Sequence, residues 1–163
     1  MINRTPNRTA IAGLVLAAST LVGLALSEGY TDKAIIPVPG DRPTKGFGST
    51  FNADGSPVQM GDKTTAPRAL VDLLRDASKF EVAVKRCAPV PMYPYEYSAY
   101  VQFTYNVGES AFCKSTLVKK LNALDYFGAC LEILRWDKVQ GRVVRGLTIR
   151  RQAEYQECTG VAS

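Results

Sequence analysis

Residues 28–50 read EGYTDKAIIPVPGDRPTKGFGST, and this stretch decides the fold class. It is rich in glycine and proline, with turn signals at Pro39-Gly40-Asp41 inside it and at Asp54-Gly55 shortly after it. Only short apolar pieces lie between these turns. Because such pieces are typical of strands joined by tight connections, the stretch predicts a small, irregular β-hairpin region.

The pattern becomes helical from about Thr64. Apolar residues then recur at steps of three and four, which indicates one buried helix face. That face is expected to contain Leu70, Leu73, Leu74, Ala77, Phe80 and Val84. Further helices are predicted over residues 95–105, 115–122, 126–136 and 148–157. The sequence therefore predicts an α+β, mostly helical fold, with a small β-hairpin region beside a larger helical part.

A membrane-length apolar run precedes the hairpin region, at Ala10–Leu26, with Arg4 and Arg8 before it. A membrane-spanning helix needs about 20 apolar residues, with about 17 as the lower limit, so this run is a marginal span. Nine of its seventeen residues are Ala, Gly, Ser or Thr. The arginines before the run predict a cytoplasmic N-terminus and an exported remainder.

Three interpretations of this N-terminal segment are open. It is a cleaved signal peptide, since Ala25-Leu26-Ser27 resembles a small-x-small cleavage site. Alternatively it is a permanent membrane anchor. In the third interpretation it is an uncleaved anchor, weak enough to leave the bilayer later.

The composition limits the chemistry. The chain contains no histidine, which excludes nucleophile systems that use imidazole as the base and zinc sites built on histidine. Hydrolytic chemistry must then use carboxylates, lysine or hydroxyl groups, and carboxylates are favoured. The formal charge of +5 favours an anionic partner, but no run of five basic residues occurs, so no nucleic-acid partner is expected. We expect neither a metal nor another cofactor.

Short motifs follow one another along the chain: E-G-Y at residues 28–30, T-K-G-F-G at 44–48, Y-N-V-G at 105–108 and R-R-Q-A-E at 150–154. In this order and spacing the chain resembles the phage lysozymes of glycoside hydrolase family 24. Its apolar N-terminal run makes it similar, more narrowly, to the signal-anchor-release endolysins of lambdoid-type phages.

The resemblance implies a phage-lysozyme-like fold, with a signal-anchor segment over residues 1–27 and a catalytic domain over residues 28–163. It also implies an endolysin that cuts the β-1,4 bond between N-acetylmuramic acid and N-acetylglucosamine in peptidoglycan and so lyses the host cell. We expect a monomer tethered to the host inner membrane, with the N-terminus in the cytoplasm and the catalytic domain in the periplasm. Release into the periplasm would follow.

The resemblance gives catalytic roles to Glu28 and Thr44. Glu28 is the general acid that protonates the leaving oxygen, and Thr44 helps to hold the attacking water. The aspartate of the family usually lies six residues before that threonine, but Val38 occupies this position here. We expect the nearby Asp41 to take over its role. The alternative is that Thr44 and backbone groups hold the water alone.

Four further residues are candidates for binding the sugar chain. Gly46 and Gly48 are expected where the backbone passes close to substrate, although ordinary turn glycines would explain them equally. Tyr105 falls where the family has an aromatic residue in its cleft, with a core aromatic as the alternative. Thr116 falls where the family has a hydroxyl group.

Four cysteines lie beyond the N-terminal segment, where export permits two disulfides. The expected pairs are Cys113–Cys130, on neighbouring predicted helices, and Cys87–Cys158, which flank the helical region. Arg150 and Arg151 are expected on a solvated helix face.

Two other functions remain open. A lytic transglycosylase needs one acid/base glutamate and no second carboxylate, which the displaced aspartate would allow. The second is a membrane-tethered wall-binding protein that has lost catalysis. Its only support is Val38, which stands where the family usually has an aspartate.

Overall fold

The computed structural model describes residues 7–161, and within them it has seven α-helices and two small antiparallel hairpins. The helices are α1 (Ala18–Glu28), α2 (Ala66–Cys87), α3 (Pro94–Val107), α4 (Glu109–Lys114), α5 (Thr116–Asn122), α6 (Tyr126–Ile133) and α7 (Arg145–Cys158). The strands are β1 (Thr31–Ile35), β2 (Thr44–Gly46), β3 (Lys138–Val139) and β4 (Arg142–Val143). The predicted α+β, mostly helical class is confirmed.

The chain forms two compact units and passes between them twice, just before α1 and again inside α2. The hairpin unit comprises residues 18–79. The helical unit comprises the described residues 7–17 and 80–161. Along the chain, an N-terminal piece of the helical unit therefore precedes the whole hairpin unit.

In the hairpin unit, β1 and β2 pair in antiparallel fashion. Thr31 pairs with Gly46 and Ile35 pairs with Thr44, so a step of four on β1 matches a step of two on β2. The extra residues interrupt the ladder and bend the strand, as β-bulges do. The predicted small, irregular hairpin is confirmed.

The long helix predicted after Thr64 is confirmed as α2. Buried residues on it, as expected, are Leu73, Ala77 and Val84. Two leucines of the expected buried face are instead exposed, Leu70 by 43% and Leu74 by 48%, so that part of the prediction is wrong.

The buried side of α2 includes an acidic residue that an apolar repeat does not reveal. Asp72 is only 4% exposed. It is tolerated there because the Arg75 guanidinium donates a hydrogen bond of 3.0 Å to its Oδ1 atom. The inward face of the helix is therefore partly polar, and a count of apolar residues misjudges its orientation.

In the helical unit, α3 packs against α7 and α4, and α6 packs against α5 and α7. Side chains of α3 that are fully buried include Tyr97, Tyr100 and Phe103. The four shorter helices predicted from the sequence are present as α3, α5, α6 and α7, and their ends differ by a few residues from the predicted ones. α4 and the β3–β4 hairpin were not predicted, because elements this short show no periodic pattern.

All four cysteines are in disulfides, but the predicted pairing is wrong. The bonds join Cys87 to Cys113 and Cys130 to Cys158. The unpredicted helix α4 carries Cys113 to the C-terminal end of α2, where Cys87 lies. The packing of α6 against α7 brings Cys130 to Cys158.

Arg151 is buried in the helical unit, so its expected place on a solvated face is also wrong. It is 1% exposed, and its Nη2 atom donates hydrogen bonds to Asn106 Oδ1 at 2.8 Å and to Glu154 Oε1 at 3.1 Å. Its guanidinium carbon lies 5.0 Å from the centroid of the Phe103 ring. A charged group survives burial here because it is paired and stacked.

The apolar N-terminal run does not form one continuous helix. It contains a 3-10 turn at Ile11–Gly13, and α1 begins only at Ala18. Thr20 and Leu24 of α1 are buried. Of the predicted segment 1–27, residues 1–6, including Arg4, lie outside the described residues.

Among residues 7–161, no helix has the length and the apolar character needed to cross a membrane.

Candidate active site

Glu28 lies at the junction between α1 and β1. It is the last residue of α1, Gly29 follows with a φ of +71°, and β1 begins at Thr31. Its side chain is half-buried, and its Oε1 atom is shielded from solvent. One oxygen of this carboxyl group is therefore removed from solvent at the point where α1 gives way to β1.

The turn that follows β2 passes next to this carboxyl group. Two backbone hydrogen bonds between Lys45 and Ser49, of 3.1 and 3.0 Å, close the turn. Gly48 lies in it with a φ of +88°, and a Cβ atom added there would lie 3.8 Å from Glu28 Oε2. The absence of a side chain at Gly48 therefore leaves the space beside the Glu28 carboxyl group open.

Gly46 has a packing reason to be glycine. It is buried, its φ is +65°, and a Cβ atom added there would lie 2.8 Å from the Cβ atom of Ala69. Real side chains do not come so close, so only glycine lets β2 approach α2 at this point. Contact between Gly46 and a sugar chain stays a prediction.

Thr44 and Asp41 lie farther along the same hairpin. Thr44 is half-buried and opens β2, opposite Ile35. Asp41 is exposed in the loop of residues 36–43 that joins the strands, where its N–H group donates a hydrogen bond of 2.9 Å to the carbonyl group of Val38. Asp41 and Val38, the position where the resemblance leads us to expect an aspartate, thus belong to the same tight turn.

Side chains from α2 form hydrogen bonds with the turn after β2 and with the residues that follow it, and no sequence motif identifies them. The hydroxyl group of Ser49, 3% exposed, donates a hydrogen bond of 2.8 Å to Asp76 Oδ2. Arg75 donates hydrogen bonds to the carbonyl oxygens of Phe51 at 3.1 Å and Asn52 at 3.2 Å. Because buried polar pairs form between residues far apart in sequence, no local pattern identifies them in advance.

A second set of contacts orders the next loop. The Asn52 side chain donates a hydrogen bond of 3.1 Å to Asp62 Oδ2, and the Gln59 N–H group donates another of 3.1 Å to the same atom. Both bonds lower the pKa of Asp62 because they stabilise its charged form, and the bond from Gln59 has the larger effect. The stretch between β2 and α2 is therefore a fixed structure.

The two remaining sugar-binding candidates belong to the helical unit. Tyr105 is half-buried on α3, with its ring centroid 5.1 Å from that of Phe80. Thr116 is exposed as the first residue of α5, directly after Ser115, whose hydroxyl group caps that helix. Glu28, Asp41, Thr44, Gly46 and Gly48 are instead all in the hairpin unit.

A pocket of about 540 Å³ in the helical unit is not the candidate site. Aromatic side chains line it, among them Tyr95, Tyr126 and Tyr155, beside the Cys130–Cys158 disulfide. None of the predicted catalytic or sugar-binding residues lines it. Among residues 7–161, no group of three or more Cys, Asp or Glu side chains is arranged to hold a metal ion.

Residues 25–154 match the model of the phage lysozyme family. The chain belongs to that family. The match begins just before Glu28 and ends within α7, so it takes in the hairpin unit from the end of α1 and most of the helical unit. The resemblance and the fold predicted from the sequence motifs are thus confirmed.

Relatives of the chain are phage endolysins. An endolysin of Acyrthosiphon pisum secondary endosymbiont phage 1 is 36% identical over 115 residues, which cover 68% of this chain and 75% of that protein. The SAR-endolysin of Pseudomonas phage phiKMV is 34% identical over 152 residues, or 91% of this chain and 90% of that protein. The match to the SAR-endolysin of Escherichia phage Mu, 43% identical, spans only 49% of that protein.

Solved structures of phage lysozymes share the fold. The endolysin from Escherichia coli O157:H7 phage FAHEc1 has a TM-score of 0.79 at 33% identity, covering 90% of this chain and 94% of that one. A mutant of P22 lysozyme has a TM-score of 0.78 at 28% identity, covering 90% and 99%. The family and these relatives make this phage lysozyme a glycoside hydrolase of the lysozyme (muramidase) type, with peptidoglycan as its substrate class.

Proposed function

We propose that this phage lysozyme is an endolysin that hydrolyses the β-1,4 bond between N-acetylmuramic acid and N-acetylglucosamine, with Glu28 as the general acid. The position of Glu28 carries the proposal. The Oε1 atom of its carboxyl group is shielded from solvent. The turn beside it has no side chain at Gly48, where an added Cβ atom would lie 3.8 Å from Glu28 Oε2. An acid in this place can reach the oxygen of a glycosidic bond lying along the turn.

Cleavage requires a proton for the leaving oxygen and a water molecule on the opposite face of the sugar ring. Glu28 supplies the proton. Thr44, the first residue of β2, holds the water. Gly46, two residues later on the same strand, pairs with Thr31 at the beginning of β1. Asp41 assists from the loop between the strands. In inverting enzymes the two carboxyl groups stand about 6.5–9.5 Å apart, which leaves room for that water.

The proposal includes the location of the enzyme. The protein is a monomer that is first held in the host inner membrane by residues 10–26, with its N-terminus in the cytoplasm, and is then released to the periplasm. Several of the relatives, including those from phages Mu and phiKMV, are SAR-endolysins, which supports this sequence of events.

Clearing of purified peptidoglycan by the full-length protein tests the catalytic proposal. We expect Glu28→Gln to lower the clearing rate by about 10²–10⁴-fold, since general acid catalysis contributes that much. Thr44→Ala is expected to lower it by about 10–100-fold through loss of water positioning. A comparable loss in Asp41→Asn would show that the relocated carboxylate takes part.

Asp32→Asn is the matched control, because Asp32 is an exposed carboxylate on β1 of the same hairpin. Its clearing rate should equal that of the wild type. Clearing that survives in Glu28→Gln would refute the proposal. Mass analysis of the products separates hydrolysis from transglycosylation, because only a transglycosylase leaves 1,6-anhydro ends.

A further inference from the structure

The residues that precede α1 are bound to the helical unit as an N-terminal arm, defined here as residues 8–16. Thr9 and Met92 exchange two backbone hydrogen bonds, of 2.9 and 3.0 Å. Leu14 is 5% exposed and belongs to the core of the helical unit. The N–H group of Leu16 donates a hydrogen bond of 2.8 Å to Glu81 Oε1. The arm is therefore held to the helical unit at both of its ends and at Leu14 between them.

Arg8 makes the most specific contact of the arm. Its Nε atom donates to Glu96 Oε2 at 3.0 Å, and its Nη2 atom donates to Glu96 Oε1 at 2.7 Å. Its guanidinium carbon lies 3.6 Å from the ring centroid of Tyr126 and 4.5 Å from that of Tyr93. The hydrogen bonds from Arg8 to Glu96 raise the pKa of the guanidinium group further.

The side chains that surround Arg8 come from the start of α3, the residue that precedes it and the first residue of α6. Glu96 lies in the first turn of α3 and is 3% exposed, and its Oε2 atom accepts a hydrogen bond of 2.8 Å from the Tyr93 N–H group. This bond is half of the capping box that starts the helix. Tyr126 is held by a hydrogen bond of 2.8 Å from its hydroxyl group to the carbonyl oxygen of Pro91. A buried carboxylate and two tyrosine rings thus surround the guanidinium group, and Glu96 and Tyr126 are also held by groups outside the arm.

We propose that Glu96, Tyr93 and Tyr126 form a guanidinium-binding site whose ligand is Arg8 of the same chain. A planar guanidinium group matches the two oxygens of a carboxylate and stacks on aromatic faces at the same time. A lysine ammonium group is a point charge and satisfies only one of these two demands.

The site has a consequence for release, which rests on the proposed function. Residues 10–26, which include most of α1, lie between Arg8 and the rest of the domain. A chain that spans the membrane with this run therefore holds Arg8 on one side and Glu96 on the other. The site is then without its ligand. Docking of Arg8 is available only to the released form, and it shifts the equilibrium toward that form by its differential binding free energy.

A double-mutant cycle on the full-length protein tests the site, with the thermal midpoint Tm as the readout. Arg8→Ala removes the ligand. Glu96→Gln removes the charge but keeps an acceptor for the capping box, in which glutamine serves as well as glutamate. We expect each variant to lower Tm by about 2–4 °C and the double variant to be no less stable than the worse single one. Additive losses, or single variants with the Tm of the wild type, would refute the site.

Two further variants sharpen the test. Arg8→Lys should lose most of what Arg8→Ala loses, and a wild-type Tm in this variant would contradict a site specific for guanidinium. Arg142→Ala is the matched control, because Arg142 is an exposed arginine on β4 of the same unit, and its Tm should be unchanged. These readouts need no enzymatic activity, so they remain valid if the proposed hydrolysis fails its own test.

Discussion

Gly46, at the end of β2, and Gly48, in the turn that follows, differ in what a side chain at each position would contact. A Cβ atom at Gly46 would press on Ala69 at 2.8 Å, whereas one at Gly48 would only touch Glu28 Oε2 at 3.8 Å. Both have positive φ angles, which cost an L-residue about 1–2 kcal/mol. The first glycine is therefore required by packing, and the second keeps the space at the candidate acid open.

Alanine substitutions at these positions should separate stability from activity. We expect Gly46→Ala to lower the free energy of unfolding by about 2–4 kcal/mol, through overpacking and backbone strain together. Gly48→Ala should lower it by about 1–2 kcal/mol and reduce peptidoglycan clearing more than its stability explains. Chemical denaturation and clearing assays measure the two effects.

Gly55→Ala is the control for strain alone, since its φ is +85° and nothing lies within 4 Å of an added Cβ atom. Equal destabilisation at Gly46 and Gly55 would contradict the packing argument for Gly46.

At the scale of elements, the two disulfides fix which helices are neighbours. Cys87–Cys113 joins α2 to α4, and Cys130–Cys158 joins α6 to α7. They close loops of similar length, with sequence separations of 26 and 28 residues. Each should therefore stabilise the fold by a similar amount, about 2–4 kcal/mol.

Paired alanine substitutions test the connectivity. Cys130→Ala with Cys158→Ala removes one bond and should lower the free energy of unfolding by about 2–4 kcal/mol. Cys113→Ala with Cys130→Ala breaks both bonds and should cost about twice as much, with the remaining thiols alkylated to prevent exchange. Equal losses in the two variants, or a larger loss in the first, would contradict the observed pairing, and mass mapping of the linked peptides checks it directly.

At the scale of the whole molecule, the N-terminal run has two demands to meet. Under the proposed release, it must be apolar enough to enter a bilayer, and its residues must also suit the structure, where a 3-10 turn and α1 divide the run. Its many small residues keep the run only marginally apolar, so insertion is weak enough to be reversed, and they leave little apolar surface to cover afterwards. Ala12, Gly13 and Ala17 are exposed in the structure.

Leucine at Ala12, Gly13 and Ala17 together should hold the protein in the membrane. Each exposed site accepts a larger side chain in the released fold, while each added apolar side chain strengthens insertion. We expect the variant to stay in the membrane fraction after the membrane potential is collapsed, whereas the wild type moves to the soluble fraction. Fractionation of host cells measures this.

The control carries the same number of added leucines at exposed alanines outside the run, at Ala53, Ala66 and Ala153. It should be released like the wild type. Release of the variant at wild-type levels would refute the weak-anchor proposal.

The sequence by itself determined the hairpin region, the order of the longer helices and the family. Glycine and proline mark turns, and apolar periodicity marks helices, within windows of a few residues, so these features could be predicted locally. The same holds for Glu28 and Thr44 as candidates, because their motifs are short and lie within one stretch.

Only the tertiary structure decided the contacts between residues far apart in the chain. Arg8 meets Glu96, Ser49 meets Asp76, and Cys130 meets Cys158. Asp72 and Arg151 are likewise buried through partners that no local window contains, although Leu70 and Leu74 fit the apolar pattern better. Periodicity reports which residues prefer to leave water, whereas the pairing of buried charges and thiols depends on how whole elements pack.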